Sequence, residues 1–195
     1  YNGKRVRYFL DGYERSNEQG SIDTVSRYKY YDENGIVDIH TVRDDVKNSD
    51  GSTGIRCWDG IGTSAFPFQG VFDGQGYKIA DMRALSTGSY AALFNWTSGA
   101  EIKDLTVSGA AEAKGGAAGV VSQCANTEIS GCRSFVAVTE SAASGANGGI
   151  AARVTGASVI EDCINYYPVM GYDGVGGVVG ILADAASSVQ SCVNF

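Results

Sequence analysis

A chain of 195 residues, 44% hydrophobic and carrying a net charge of −7, is long and apolar enough to bury a core, which excludes a disordered chain and predicts one domain with a small appendage. An acidic surface with few basic residues excludes nucleic acid and anionic membranes as partners. Twenty-seven glycines against two prolines, without collagen's three-residue period, predict many tight turns.

No apolar run reaches transmembrane length, so no membrane insertion is expected. The chain starts at Tyr1 without a signal-peptide pattern, which suggests a piece of a longer protein or a processed form. Its five cysteines, Cys57, Cys124, Cys132, Cys163 and Cys192, lack the paired C-x-x-C spacing of a zinc site. Disulfide staples are not needed in a chain of this size. No metal ligands are assigned, and no cofactor is expected.

Residues 1–62 form a first region, an N-terminal hairpin or capping segment, holding 9 of the 15 Lys and Arg and six of the eleven tyrosines. Here VRYFLDGYE predicts a short strand running into a turn. TVSRYKYYDENGIVDIHTV predicts a β-hairpin, with Asn34-Gly35 supplying the positive φ angles of the turn. Tyr8, Tyr13, Tyr28, Tyr30 and Tyr31 are candidate binding residues, because exposed tyrosines suit contact with sugars or proteins. The competing role for alternate ones, such as Tyr28 and Tyr30, is packing of the hairpin onto its neighbour. DDVKNSDGSTG predicts a loop; its N-x-D-G resembles part of a calcium loop, but Val46 would fall on the first ligand position and no Glu closes it.

From residue 63 to 195 charge is sparse and Gly, Ala, Ser and Val dominate. The stretch FQGVFDGQGYKI predicts a strand and a turn. Phe68 and Phe72 alternate with smaller residues, and Asp73-Gly74-Gln75-Gly76 forms the turn, with glycines at positive φ and Asp73 bonding the backbone.

Four segments then superpose: EIKDLTVSG, EISGCRSFV, VIEDCINYY and VQSCVNF. Ile102, Ile129, Ile160 and Val189 recur at intervals of 27, 31 and 29 residues, followed three residues on by Leu105, Cys132, Cys163 and Cys192. Upstream lie Gly115-Gly116, Gly148-Gly149 and Gly176-Gly177, which are expected to be equivalent. A period near 30 with high Gly, Val, Ser and Thr predicts strands stacked as a β-solenoid, not helix pairs. Equivalent positions then lie about 4.8 Å apart, so Cys132, Cys163 and Cys192 form an inward column of small apolar side chains. Asn165 and Asn194 are expected to stack and hydrogen-bond along the axis.

Trp58-Asp59-Gly60-Ile61-Gly62, the FxGxFDGxGxxI stretch and the later G-G-x-x-G and I-x-x-C-x-N segments resemble the GLUG-repeat β-helices of large bacterial surface proteins, adhesin-like and IgA-protease-like chains among them. The resemblance covers residues 57 to 195. It implies an all-β, right-handed parallel β-solenoid of about four coils behind an N-terminal β-hairpin region. It also implies an extracellular, cell-surface or secreted location and a non-catalytic adhesin-like or stalk role, with an unidentified protein or glycan as surface ligand.

No catalytic residues are assigned. The one histidine, His40, has Cys57 as its only proposed thiol partner. Carboxylate pairs for glycoside hydrolysis are Asp44-Asp45, Glu161-Asp162 and Glu101 with Asp104, the last two sets being placed level with Glu128 in their coils. A carbohydrate-active or carbohydrate-binding β-helix is therefore the first alternative. A self-assembling filament subunit is the second, because an open solenoid end exposes strand edges; more of the chain would equally continue the stack.

Overall fold

The computed structural model describes residues 6–9, 25–31, 37–43, 46–47, 53–54, 58–86, 89–141 and 145–195, and no helix occurs among them. Contacts divide the chain between Arg56 and Cys57, ahead of the composition shift near residue 62.

In the first unit Val25–Tyr31 pairs antiparallel with both Val6–Phe9 and Val37–Arg43. Tyr31 stands opposite Val37, so the segment 32–36 that connects them, with Asn34-Gly35, lies outside the described residues. A second antiparallel pair joins Val46–Lys47 to Thr53–Gly54. The calcium-loop segment between them lies outside the described residues.

The second unit is a parallel β-solenoid of about four turns. A typical coil is Phe94–Ser98, Glu101–Lys103, Thr106–Ala113 and Gly116–Ala118, four strands separated by two-residue corners. Each strand pairs in parallel with its equivalent one coil later: Val121–Ala125, Glu128–Ser130, Arg133–Glu140 and Ala146–Gly148. The third and fourth coils continue the same four sheets, and Val71–Asp73 with Lys78–Leu85 precede them.

Parallel register forces equivalent side chains to stack. Phe72, Ile102, Ile129, Ile160 and Val189 are successive partners and form one interior column. Ile102, Ile129 and Ile160 are wholly buried, each stabilising the fold by about 1.5–3 kcal/mol. Phe94 fills the wide first coils, with Phe68 and Phe72 packed on it at ring separations of 5.0 and 5.3 Å. The predicted turn after Phe72 is present: the Gln75 backbone N–H donates to Asp73 Oδ1 at 2.9 Å, and Gly76 has φ +76°. Gly74 has another reason to be glycine, since a Cβ there would lie 2.5 Å from the Asp104 carbonyl.

A hydroxyl column at one corner went unread in the sequence. Thr127, Ser158 and Ser187 each directly precede a strand and are buried. The N–H of Ala100 donates to Thr127 Oγ1 at 3.3 Å, that of Thr127 to Ser158 Oγ at 3.0 Å, and that of Ser158 to Ser187 Oγ at 3.4 Å. Thr127 and Ser158 in turn donate within their own coils, to the carbonyls of Ala125 and Thr155, and Ser187 donates to the Gly156 carbonyl one coil before. The column thus satisfies corner amides that no strand partner reaches.

The expected alignment of Gly148-Gly149 with Gly176-Gly177 holds, while that of Gly115-Gly116 is corrected by three residues. Gly116 pairs with Ala146, and Gly148 pairs with Ala118 and Gly176. The position that needs glycine in three coils is Gly119, Gly149 and Gly177, where an added Cβ would fall 2.2–2.3 Å from Ser134 Oγ, Asn165 Cγ and Asn194 Cγ. The polar side chain two residues after each column cysteine crosses the narrow interior and occupies that space.

Two substitutions test these packing claims by thermal unfolding. Gly149→Ala sets a methyl against Asn165 and the Gly177 carbonyl and should cost about 1–3 kcal/mol, lowering Tm by several degrees. An unchanged Tm would show that Asn165 does not cross the interior. Ser158→Ala leaves the buried Thr127 N–H without its acceptor and should also cost about 1–3 kcal/mol.

Candidate functional site

The candidate residues fall on three surfaces and one interior column. Tyr8, Tyr28, Tyr30 and Tyr31 lie on the antiparallel strands of the first unit. Tyr28 stands between Phe9 and His40, Tyr30 between Arg7 and Asp38, Tyr31 between Val6 and Val37, and Tyr8 opposite Lys29. Tyr13 lies outside the described residues, as does Cys57, the thiol proposed to meet His40.

An open groove of about 360 Å³ runs along the solenoid axis at the corner of the hydroxyl column. It is lined by the small residues Gly70, Gly99, Ala100 and Ala157 and by the polar residues Gln69, Glu101, Asn126 and Glu128. Parallel pairing puts Glu101 directly beside Glu128. Their repulsion is relieved by Lys103, whose Nζ donates to Glu101 Oε1; this bond and the charge of Glu101 raise the Lys103 pKa. Glu161 is not level with Glu128: register places it with Ser130 and Lys103, while Val159 follows Glu128. Asp104 and Asp162 sit on the next corner with φ of 50° and 51°. Their left-handed backbone, which Asp tolerates better than most residues, gives them a turn-forming role.

The long-strand sheet carries the third surface. Phe135, Tyr166 and Phe195 stack on successive coils, with ring separations of 4.4 and 5.3 Å and interplanar angles of 5° and 7°. Lys78 Nζ lies 5.9 Å from the Phe135 ring centroid. The first three strands of this sheet have eight residues, but the next has only Ile164–Asn165. Pro168, which has no N–H to donate, interrupts pairing just after it. The segment 166–174 then leaves the sheet, touching it again where Val169 bridges Val138. Glu140 Oε2 anchors this projection by accepting from Tyr172 N and from Asn147 Nδ2, both at 2.9 Å. Tyr167, Met170 and Tyr172 are exposed, at 46%, 56% and 70%.

Asn165 and Asn194 are in register, and Asn165 Nδ2 donates to Asn194 Oδ1 at 2.8 Å and to the Tyr167 carbonyl at 2.6 Å. The ladder therefore also fixes the start of the projecting segment. Asn95, the acceptor position of an N-x-T sequon, is engaged structurally: its Nδ2 donates to the Asp59 carbonyl at 2.6 Å, and Thr97 is buried.

Cys132 and Cys163 are wholly buried and Cys192 partly so, inward of the corner of Asp162. Burial pushes the Cys124 and Cys192 thiols above their ordinary pKa. Of the inner pair, the neighbouring Cys163 thiol pushes Cys132 down. Cys163 is pushed far up by Cys132 and then by burial. Among the described residues no group of three or more His, Cys, Asp or Glu side chains converges as a metal site.

Neither protein-family models, curated proteins nor solved structures gave a match to this chain.

The thiol column makes stability pH-dependent. A thiol whose pKa is raised by folding stabilises the fold fully below its unfolded pKa, and that contribution is lost as pH rises towards the folded value. Between about pH 7.5 and pH 9.5, urea unfolding of the native chain should lose about 1 kcal/mol more stability than that of Cys163→Ser, whose hydroxyl does not ionise. Equal losses would place Cys163 in contact with solvent.

Proposed function

We propose that this chain is a non-catalytic β-solenoid module of a bacterial cell-surface or secreted protein, with an adhesin-like or stalk role, as its resemblance to the GLUG-repeat β-helices implies. The winding is taken as right-handed, the hand that connections between parallel strands adopt. The observation that carries this reading is the break at residues 166–174: a regular stack holds out one segment, anchored through Glu140, whose Tyr167, Met170 and Tyr172 face solvent. Tyrosine and methionine supply large, adaptable contact area, which suits a surface ligand, protein or glycan. The stack behind it is stiff, because each coil is hydrogen-bonded to its neighbours through four sheets.

The corner groove favours a second reading, a carbohydrate-binding or carbohydrate-processing β-helix. Its lining presents Gln69 and Asn126 for hydroxyl recognition and two carboxylates, Glu101 and Glu128, one rung apart. Retaining glycosidases hold their carboxyl pair about 5–5.5 Å apart, close to that rung spacing.

Binding of the labelled chain to host cells and to a glycan array separates the two. The adhesin-like reading expects saturable binding that falls at least tenfold in Tyr167→Ala/Tyr172→Ala with Tm unchanged, the size expected for a pair of contact aromatics. Binding indifferent to both changes would overturn the assignment to this segment. Release of reducing ends from a polysaccharide, abolished by Glu101→Gln or Glu128→Gln, would establish the second reading instead.

A further inference from the structure

The long-strand sheet gathers positive charge on its outer face. Val107, Ala111, Ser134 and Val136 are buried, and Ile79, Met82 and Ala84 pack on the core, so the residues that alternate with them point outward. Lys78, Arg83 and Arg133 are among these, so three of the six Lys and Arg in residues 63–195 share one sheet face. Lys78, Thr106 and Arg133 stand in one column, which puts the two cations two rungs apart, about 9.6 Å along the axis. Thr106 separates them, so neither has a like charge as its copy on the next coil. Arg133 is exposed although Ile164 and Val193 follow it in the column.

These cations lack the counter-ion that the acidic groove carries. There Lys103 neutralises Glu101. Among the described residues none of Lys78, Arg83 and Arg133 forms an ion pair. Lys78 instead reaches across to place Nζ 5.9 Å from the Phe135 ring centroid, a contact that holds the ammonium without neutralising it. Tyr166 stacks on that ring as well, which fixes the support. Phe135 lies two residues from Arg133 on the same strand, so Lys78 leans towards the guanidinium. Carboxylates stand on both sides of this column. Asp104 and Asp162 occupy the preceding corner, and Asp81 and Glu112 lie further along the strands. The result is a narrow positive stripe along the axis between acidic borders.

We propose that this stripe binds an acidic polysaccharide laid along the solenoid axis, with carboxylates at Lys78 and Arg133 and neutral sugar between them at the Thr106 hydroxyl. Arg133 offers a carboxylate a planar fork of donors, and Lys78 a mobile ammonium. Charge density separates this ligand from other polyanions. A nucleic-acid strand carries a phosphate about every 3.4 Å, and those between and beside the two cations would face the flanking carboxylates. A glycan with a carboxylate on every second sugar is charged sparsely enough to meet the cations alone. The site is separate from the groove at Glu101 and does not rest on the contact proposed for residues 166–174.

The probe is a hyaluronan oligosaccharide, with one glucuronate in each disaccharide, titrated into the full chain at about 50 mM salt, where exposed charges are little screened. Binding should be saturable and should weaken about fivefold at about 0.5 M salt, and neutral dextran should not bind. Lys78→Gln and Arg133→Gln should each weaken it about threefold and together about tenfold, the sizes expected of exposed ion pairs. Both side chains are exposed, so Tm should hold and the loss reads as binding. Absence of saturable hyaluronan binding overturns the proposal. So does equal binding of dextran, and so does tighter binding of a single-stranded oligonucleotide, which would make the stripe a phosphate site. Binding unaffected by the double change would put the glycan elsewhere and overturns it too.

Discussion

Everything in the second unit depends on one constraint: each strand hydrogen-bonds to its own equivalent in the next coil. A side chain therefore has a copy of its position above and below it, about 4.8 Å away, and must be able to live beside whatever occupies that copy. Apolar residues meet the constraint easily, which is why Ile102, Ile129 and Ile160 recur with little change. Charges do not. Glu101 and Glu128 are stacked, and Lys103 turns back to bond Glu101. Polar groups meet it by bonding along the axis, as the Thr127, Ser158 and Ser187 hydroxyls and the Asn165–Asn194 pair do.

The same constraint explains which parts of the fold were legible in the sequence. The isoleucine and cysteine columns were, because a branched or sulfur-bearing side chain among Gly, Ala and Ser marks its register unambiguously. Of the Gly-Gly pairs, Gly148-Gly149 and Gly176-Gly177 align as expected, and Gly115-Gly116 lies three residues out. In those strands glycine and alanine serve alike, so Gly115-Gly116 resembles Gly148-Gly149 without being its partner. What distinguishes Gly119, Gly149 and Gly177 is the residue facing them across the interior, and no local pattern carries that information. The hydroxyl column was hidden for a related reason. Its members keep a fixed place, two residues before Ile129, Ile160 and Val189, but they are a Thr and two Ser in a region rich in both, and Ala100 holds the position one coil earlier.

Glu161 shows how narrow the margin is. It was read as level with Glu128, but a shift of two residues moves it into the column of Ser130 and Lys103. Period-two alternation keeps it on the same side of the sheet, so its exposure was read correctly while its neighbours were not. Any carboxylate pair inferred from such a sequence is only as good as the register. The register that holds makes Glu101 and Glu128 the adjacent pair.

A stack of this kind has little freedom for recognition inside its regular rungs, because a side chain suited to a ligand must also suit its copies above and below. Freedom returns where register is broken. The coil that holds Ile164–Asn165 breaks it at Tyr166–Pro168, where one residue cannot donate to the sheet and the chain departs before touching Val138 again through Val169. The break is held on both sides, by Asn165 on the Tyr167 carbonyl and by Glu140 on the Tyr172 amide, so the projecting side chains start from fixed backbone. Ordering them in advance lowers the entropy lost when a ligand is bound. The inner columns have the opposite character. Their regularity repeats one side chain at one spacing, each thiol turned to a backbone carbonyl of its own coil, which serves packing and leaves nothing with which to read a shape.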